Sequence, residues 1–218
     1  MRRTALAVTA AAIVAAVPLL SSCSGEPRAG AAAVLGDDER ITVSQLQNRV
    51  ADVRDAQNAS AQADEMIDQS GDLSVDTLNT MLQGRVIEQA AENHGVTVPR
   101  GEVQRTRRAE AESVGGEEQL EAMYLQQYSI PPEGLDTHYK QQLMVQGLVQ
   151  KLGINPQTQE GQAQLGGLLV EASEDLGIDV SPRFGTWDNE QVRLAQADTP
   201  WIKQVSATAE DGVVPQQQ

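Results

Sequence analysis

Apolar positions recur along this chain at three or four residue intervals, broken at regular places by glycine and proline, and that rhythm predicts a series of helices. Leu46, Val50 and Val53 follow Thr42-Val43-Ser44-Gln45, a capping-box pattern that starts the first helix. Past Ala56 the sequence turns polar, and Gly71 breaks it. A second helix, capped from Ser74, carries Leu78, Met81, Leu82, Val86 and Ala90, with His94 in its last turn and Gly95 as a left-handed stop. Pro99 opens a third, with Val103, and Gly115-Gly116 ends it. Leu120, Met123, Tyr124 and Gln127 mark a fourth, closed by Ser129-Ile130-Pro131-Pro132. Leu135, Tyr139, Leu143 and Leu148 mark a fifth, and Leu165, Leu168, Leu169 and Ala172 a sixth that stops at Gly177.

Two short extended pieces flank this helical series. Ala31-Ala32-Ala33-Val34-Leu35 reads as a strand, Gly36 to Arg40 as its turn, and Ile41 as the return. At the other end Ile178-Asp179-Val180 leads into Ser181-Pro182-Arg183-Phe184-Gly185-Thr186-Trp187-Asp188. Strands this short are not stable alone. Pairing them with each other satisfies both edges and gives Phe184 and Trp187 an apolar surface to bury against. The expected fold is therefore mostly α, with a small β element formed by the N- and C-terminal strands.

The first residues follow a different pattern. Met1, Arg2 and Arg3 precede an apolar run from Ala5 to Leu20, interrupted by Thr9 and Pro18, and then Leu20-Ser21-Ser22-Cys23. A basic start, an apolar stretch of this length and small residues at its end form a secretory signal. Cys23 is the chain's single cysteine, so it has no disulfide partner within the chain. The stretch resembles a bacterial lipobox. That resemblance implies removal of residues 1–22 and a diacylglyceryl thioether on Cys23, which becomes the new N-terminus. The plainer readings are an ordinary cleaved signal beside a free thiol, and a retained transmembrane helix, for which the run is short and alanine-rich. The expected location is the cell membrane, lipid-anchored on its extracytoplasmic side. Residues 23–30 form a tether, 31–188 the domain, and 189–218 a polar, partly disordered tail with one apolar anchor at Pro200-Trp201-Ile202.

Composition narrows the functional classes. Sixteen basic side chains against 31 acidic ones give a net charge of −15, which grows more negative once the leader's two arginines are removed. Such a surface excludes charge-driven binding of nucleic acid or anionic lipid headgroups. Aromatic residues are only 3%, so Leu, Val, Ile, Met and Ala must build the core, which favours packed helices over a β-sandwich. Arg105, Arg107 and Arg108 look like a basic patch, but Glu110 and Glu112 lie at helical spacing and make a salt-bridged face the simpler account.

Catalytic and cofactor patterns are lacking in the sequence. It has no phosphate loop, no dinucleotide fingerprint and no nucleophile elbow. His94 and His138 stand on separate helices, without another ligand at a metal-binding spacing. No enzyme activity, cofactor or metal is expected, although the many carboxylates leave a divergent two-carboxylate hydrolase as a remote reading.

Taken in order, these pieces resemble the N-terminal domain of the SurA/PrsA type of extracytoplasmic foldase. The residues that carry the resemblance are the strand Ala31 to Leu35, Ile41-Thr42 opening a helix, and Leu78 to Gly95 followed by Val96-Thr97-Val98. Glu102-Val103, Gly115-Gly116 with Leu120, Leu135 and Leu143, and Val180 to Trp187 complete it. Many members carry a parvulin-type prolyl isomerase between the last two helices. Here only about Gly153 to Thr158 separates them, so that activity is not carried over. The resemblance implies a chaperone-like helical domain that binds unfolded or newly exported polypeptides. A holdase surface tolerates many sequences through flexible side chains, which makes Met81, Met123, Tyr124 and Met144 candidates, though methionine at helical spacing more often belongs to a core. The alternative is a solute-binding or structural envelope lipoprotein on a helical scaffold.

Overall fold

The first described strand, β1 (Ala31–Leu35), is the centre of a three-stranded sheet, and both ends of the domain meet on it. In this computed structural model, which describes residues 30–36, 39–68 and 70–195, β2 (Glu39–Thr42) pairs antiparallel on one side of β1 and β3 (Ile178–Val180) antiparallel on the other. The register sets Ala33 opposite Ile41 and also opposite Val180. Ala31, Ala32, Ala33 and Leu35 are all buried. The small side chains let helices approach the sheet closely, which is why an alanine run serves here as a strand. The pairing of the two terminal strands agrees with the sequence-based expectation.

Seven helices follow among the described residues: α1 (Val43–Ala59), α2 (Ala63–Asp68), α3 (Leu73–Asn93), α4 (Arg100–Val114), α5 (Glu117–Tyr128), α6 (Leu135–Leu152) and α7 (Gln159–Leu176). The capping box at the start of α1 is present, with the Thr42 hydroxyl accepting from the Gln45 N–H and Gln45 Oε1 accepting from the Thr42 N–H. This helix runs to Ala59, past the point where the sequence turns polar. Gln57 is buried there, and Arg54 donates to Gln57 Oε1, Ser70 Oγ and the Ser70 carbonyl, so α1 is tied to the start of α3. The short α2 was not predicted; it packs on α1 through buried Met66.

Two apolar clusters share the domain. The first joins the sheet to α1, α3, α6 and α7, with Leu46, Leu78, Leu82, Val86, Leu148 and Ala172 buried between them. Trp187 closes it, and its Nε1–H donates to Ser173 Oγ on α7 at 2.8 Å. Phe184 packs against the same cluster. The second cluster lies between α4, α5 and the first half of α6, around Val103, Ala111, Leu120, Leu135 and Tyr139.

The chain does not leave the fold at Asp188. A hairpin of β4 (Thr186–Asp188) and β5 (Arg193–Ala195) carries the paired structure past the boundary expected from the polar sequence. Val192 and Leu194 pack on the first cluster and explain the extension, and the Val192 carbonyl and Leu194 N–H bond to side chains of α3.

Candidate functional site

Between the two clusters the helices do not close, and a cleft of about 360 Å³ remains. Its floor is α3, through Leu73, Thr77, Thr80 and Met81. Arg49 and Val53 of α1 form one wall, and Thr137, His138 and Gln141 of α6 the other. The segment Gln127–Pro131, which joins α5 to the 3₁₀ turn before α6, forms the rim. A second, more polar cleft of about 460 Å³ continues from it towards β2 and shares Arg49, Met81, Thr137 and Gln141. The two form one groove along α3.

Local sequence explains why the rim stays open. Ser129 ends α5 in the left-handed conformation, φ 53, a position normally given to glycine or asparagine. It reverses the chain sharply, and Pro131-Pro132 prevents α5 from continuing. Tyr128 is left 61% exposed at the mouth, its ring 5.5 Å from that of Tyr124. An exposed aromatic held by a ring beneath it, beside half-buried Ile130, is a rigid apolar contact surface. At the floor, Gly84 has no side chain because Gln141 lies where a Cβ would sit. Gln141 therefore crosses the groove where the two clefts join.

Electrostatics divide the groove. Glu88, at the polar end, is pulled up by burial but held below the usual carboxylate range by Lys140 and Arg85, each 2.9 Å away. Arg85 also pairs with Glu39 of β2. At the apolar end, burial lowers His138, and the Glu110 carboxylate pulls in the opposite direction. The His138 ring packs edge-on to Tyr124 at 5.2 Å. Tyr124 donates to Glu110 Oε1 at 2.9 Å. Tyr139 is fully buried, and its hydroxyl has no hydrogen bond of good geometry among the described residues. Burial first, then Tyr124 and Glu110, push its ionisation far up, so it stays a neutral phenol. None of these groups is disposed as a nucleophile with its base.

The four polypeptide-contact candidates separate in the structure. Met81 lines both clefts. Met123 is half-buried against the second cluster. Tyr124 and Met144 are buried, 6% and 7% exposed, because each occupies the inward stripe of its helix; they support the fold and do not line the groove. Leu20, Ser21, Ser22 and Cys23 lie outside the described residues. Tyr128, Ile130, Thr80 and Arg49 were not singled out from sequence. The available signal was Tyr128-Ser129-Ile130-Pro131, large apolar residues placed at a helix break in a chain otherwise poor in aromatics.

Arg107 also finds other partners than expected. In place of Glu110 and Glu112 on its own helix, it pairs with Glu117 and with Glu121 at 3.1 Å on α5, and with Asp136 at 3.0 Å on α6. The N-terminal halves of α5 and α6 present these acids to it, so it clamps three helices together. Among the described residues no group of three or more His, Cys, Asp or Glu is arranged to hold a metal ion. Nor is any helix there long and apolar enough to cross a membrane.

The domain is helical, is closed by its own terminal strands and carries an open groove along α3. The SurA-like N-terminal domain family matches residues 1–149, and the chain belongs to that family. The match reaches the last turn of α6; α7 and the strands β3 to β5, which complete the first cluster, lie beyond it. Comparison with curated proteins and with solved structures gives no match.

Proposed function

We propose that this protein is a lipid-anchored, extracytoplasmic chaperone that holds unfolded or newly exported polypeptides in the groove along α3 and has no prolyl isomerase activity. The observation that carries the reading is the cleft itself: an open apolar site in a SurA-like domain, with Tyr128 61% exposed at its mouth. Met81, Tyr128 and Ile130 supply apolar contact without demanding one sequence, and Thr77, Thr80 and Gln141 offer side-chain hydrogen bonds to a passing backbone. Only residues 153–158 stand between α6 and α7, which supports the lack of an inserted isomerase domain. A protease-coupled proline peptide assay should then give the uncatalysed rate, and a saturable acceleration would refute this part.

Binding is tested with reduced, carboxamidomethylated α-lactalbumin, a permanently unfolded probe. Tyr128→Ser with Met81→Ser should weaken its affinity about tenfold or more, and Tyr128→Ser alone, at an exposed position, should leave the melting temperature within a few degrees. Unchanged affinity in that double variant removes the groove from the account. The anchor is carried by Leu20-Ser21-Ser22-Cys23. Cys23→Ser should release the protein from the membrane fraction or stall its precursor, and unchanged fractionation with unchanged mature mass contradicts it.

The cleft volume also falls within the range of small-molecule sites, about 300–1,000 Å³. That favours a solute-binding lipoprotein as the second reading. Displacement of the unfolded probe by a small metabolite extract, but not by unfolded peptides, would select it.

A further inference from the structure

The groove along α3 changes character at Met81. Its floor follows the helix from Leu73 to Glu88, about 22 Å, with the apolar cleft on one side of Met81 and the polar cleft on the other. On α1 the order is reversed: Val53 lines the apolar half, Arg49 both halves, and Gln45 the polar half. An extended polypeptide covers this length with about six or seven residues, so a chain lying in the groove meets both halves.

The polar half gathers cations in a chain whose net charge is −15. Arg40 of β2, Arg49 of α1 and Arg85 of α3 line it, against the acids Asp52 and Glu88. Contacts within the fold use part of this charge. Arg85 is held by Glu39 and by one oxygen of Glu88, whose other oxygen takes Lys140. Arg49 has only Asp52, 3.8 Å away, which is too far for a hydrogen bond, and solvent reaches both side chains. The Arg40 side chain makes no hydrogen bond or ion pair with a described residue. Two guanidinium forks in this half therefore keep their donors open to a ligand, and such forks match a carboxylate in shape as well as in charge. Arg49 stands at the junction of the clefts and Arg40 in the polar half alone, so together they suit two carboxylates along one chain. A C-terminus supplies one carboxylate, whereas acidic side chains supply both.

We infer that the groove selects polypeptide segments in which an apolar stretch is flanked by Asp or Glu side chains, with the apolar residues against Met81 and Tyr128 and the carboxylates on Arg49 and Arg40. The inference rests on the reading of the groove as a polypeptide site. It adds a charge selection to an apolar half that tolerates many sequences. Basic segments meet diffuse attraction over the acidic exterior, whereas acidic ones are held at one place.

Fluorescence anisotropy of the full-length protein tests this with short, C-terminally amidated peptides that share a leucine-phenylalanine pair and differ only in a flanking pair of glutamates or glutamines. The glutamate peptide should bind about fivefold more tightly at low salt, since exposed charge pairs are individually weak, and the ratio should fall towards one at about 0.5 M salt. Arg40→Gln with Arg49→Gln should bring the ratio close to one at low salt, and Arg40→Glu, a change at an exposed strand position, should lower it as well. Equal affinities of the two peptides, both displaced by excess carboxamidomethylated α-lactalbumin, overturn the inference and leave the polypeptide reading standing. A glutamine peptide with a free C-terminus that matches the glutamate peptide overturns it in favour of a terminal carboxylate. A preference that survives both arginine variants puts the carboxylates elsewhere and overturns it too. If no peptide binds or competes with α-lactalbumin, the polypeptide reading itself falls, and the inference with it.

Discussion

The two apolar clusters are built from different chemistry, and the difference separates what holds the domain together from what works. The first is aliphatic and draws on the whole chain: β1 and β2 near its start, α1, α3, α6 and α7, then β3 and Trp187 near its end. Its polar contacts are few and satisfied, such as Ser173, which accepts from Trp187 and donates to Asn189. The second is built on the neighbouring helices α4, α5 and α6, and surrounds its leucines with Tyr124, Tyr139, His138 and the Arg107 clamp. A cluster made of distant strands cannot open in part without losing its sheet. One made of neighbouring helices and exposed ion pairs yields more easily. The cleft lies at the junction, with its floor on the rigid side and its rim, Tyr128 to Pro131, on the yielding one.

The comparison can be broken most severely at the chain's end. A protein that stops at Leu176 loses β3, β4 and β5, and with them the outer edge of β1 and the cover supplied by Trp187. Burial of one tryptophan is worth about 3 kcal/mol or more, and the unpaired strand adds to the loss. Cooperative unfolding in urea should vanish from the first cluster. A truncated protein that melts like the full chain would refute the two-ended domain. The same experiment bears on the family match, which ends at residue 149 and so leaves these closing elements outside it.

A smaller effect sharpens the contrast from the second cluster. Burial holds His138 below its ordinary 6.5, against the opposing pull of Glu110. On acidification the unfolded chain therefore takes up the proton first. Stability from this group is present above about pH 6.5, falls as the pH drops through that value, and is fully lost only below the folded-state pKa. His138→Asn should flatten the dependence of the urea midpoint between about pH 8 and 5.5. The aliphatic cluster offers no comparable group, so equal slopes in the variant and the parent would show that the second cluster is not the acid-sensitive half.

Sequence reasoning reached the architecture because its rules are local and summed correctly. Thr42 and Gln45 are three apart, as a capping box requires, and the α3 stripe from Leu78 to Ala90 keeps its spacing over about three turns. The terminal strands were legible because neither is long enough to stand alone. What escaped depends on neighbours far apart in the chain. Arg107 has good partners on its own helix by spacing, yet α5 and α6 bring Glu117, Glu121 and Asp136 closer. Tyr124 and Tyr128 occupy successive turns of α5, and only the left-handed Ser129 decides that the first is covered and the second exposed. Of the methionines, Met81 lies on the groove because α1 and α6 part over it, which no periodicity encodes.

The most direct test of the central claim is hydrogen exchange of the full chain with and without carboxamidomethylated α-lactalbumin. The account predicts slower exchange confined to residues 73–81 and 127–138, and its loss when Tyr128→Ser is added. Protection on α7 or α4 with the groove unchanged, or protection that survives Tyr128→Ser, would contradict it.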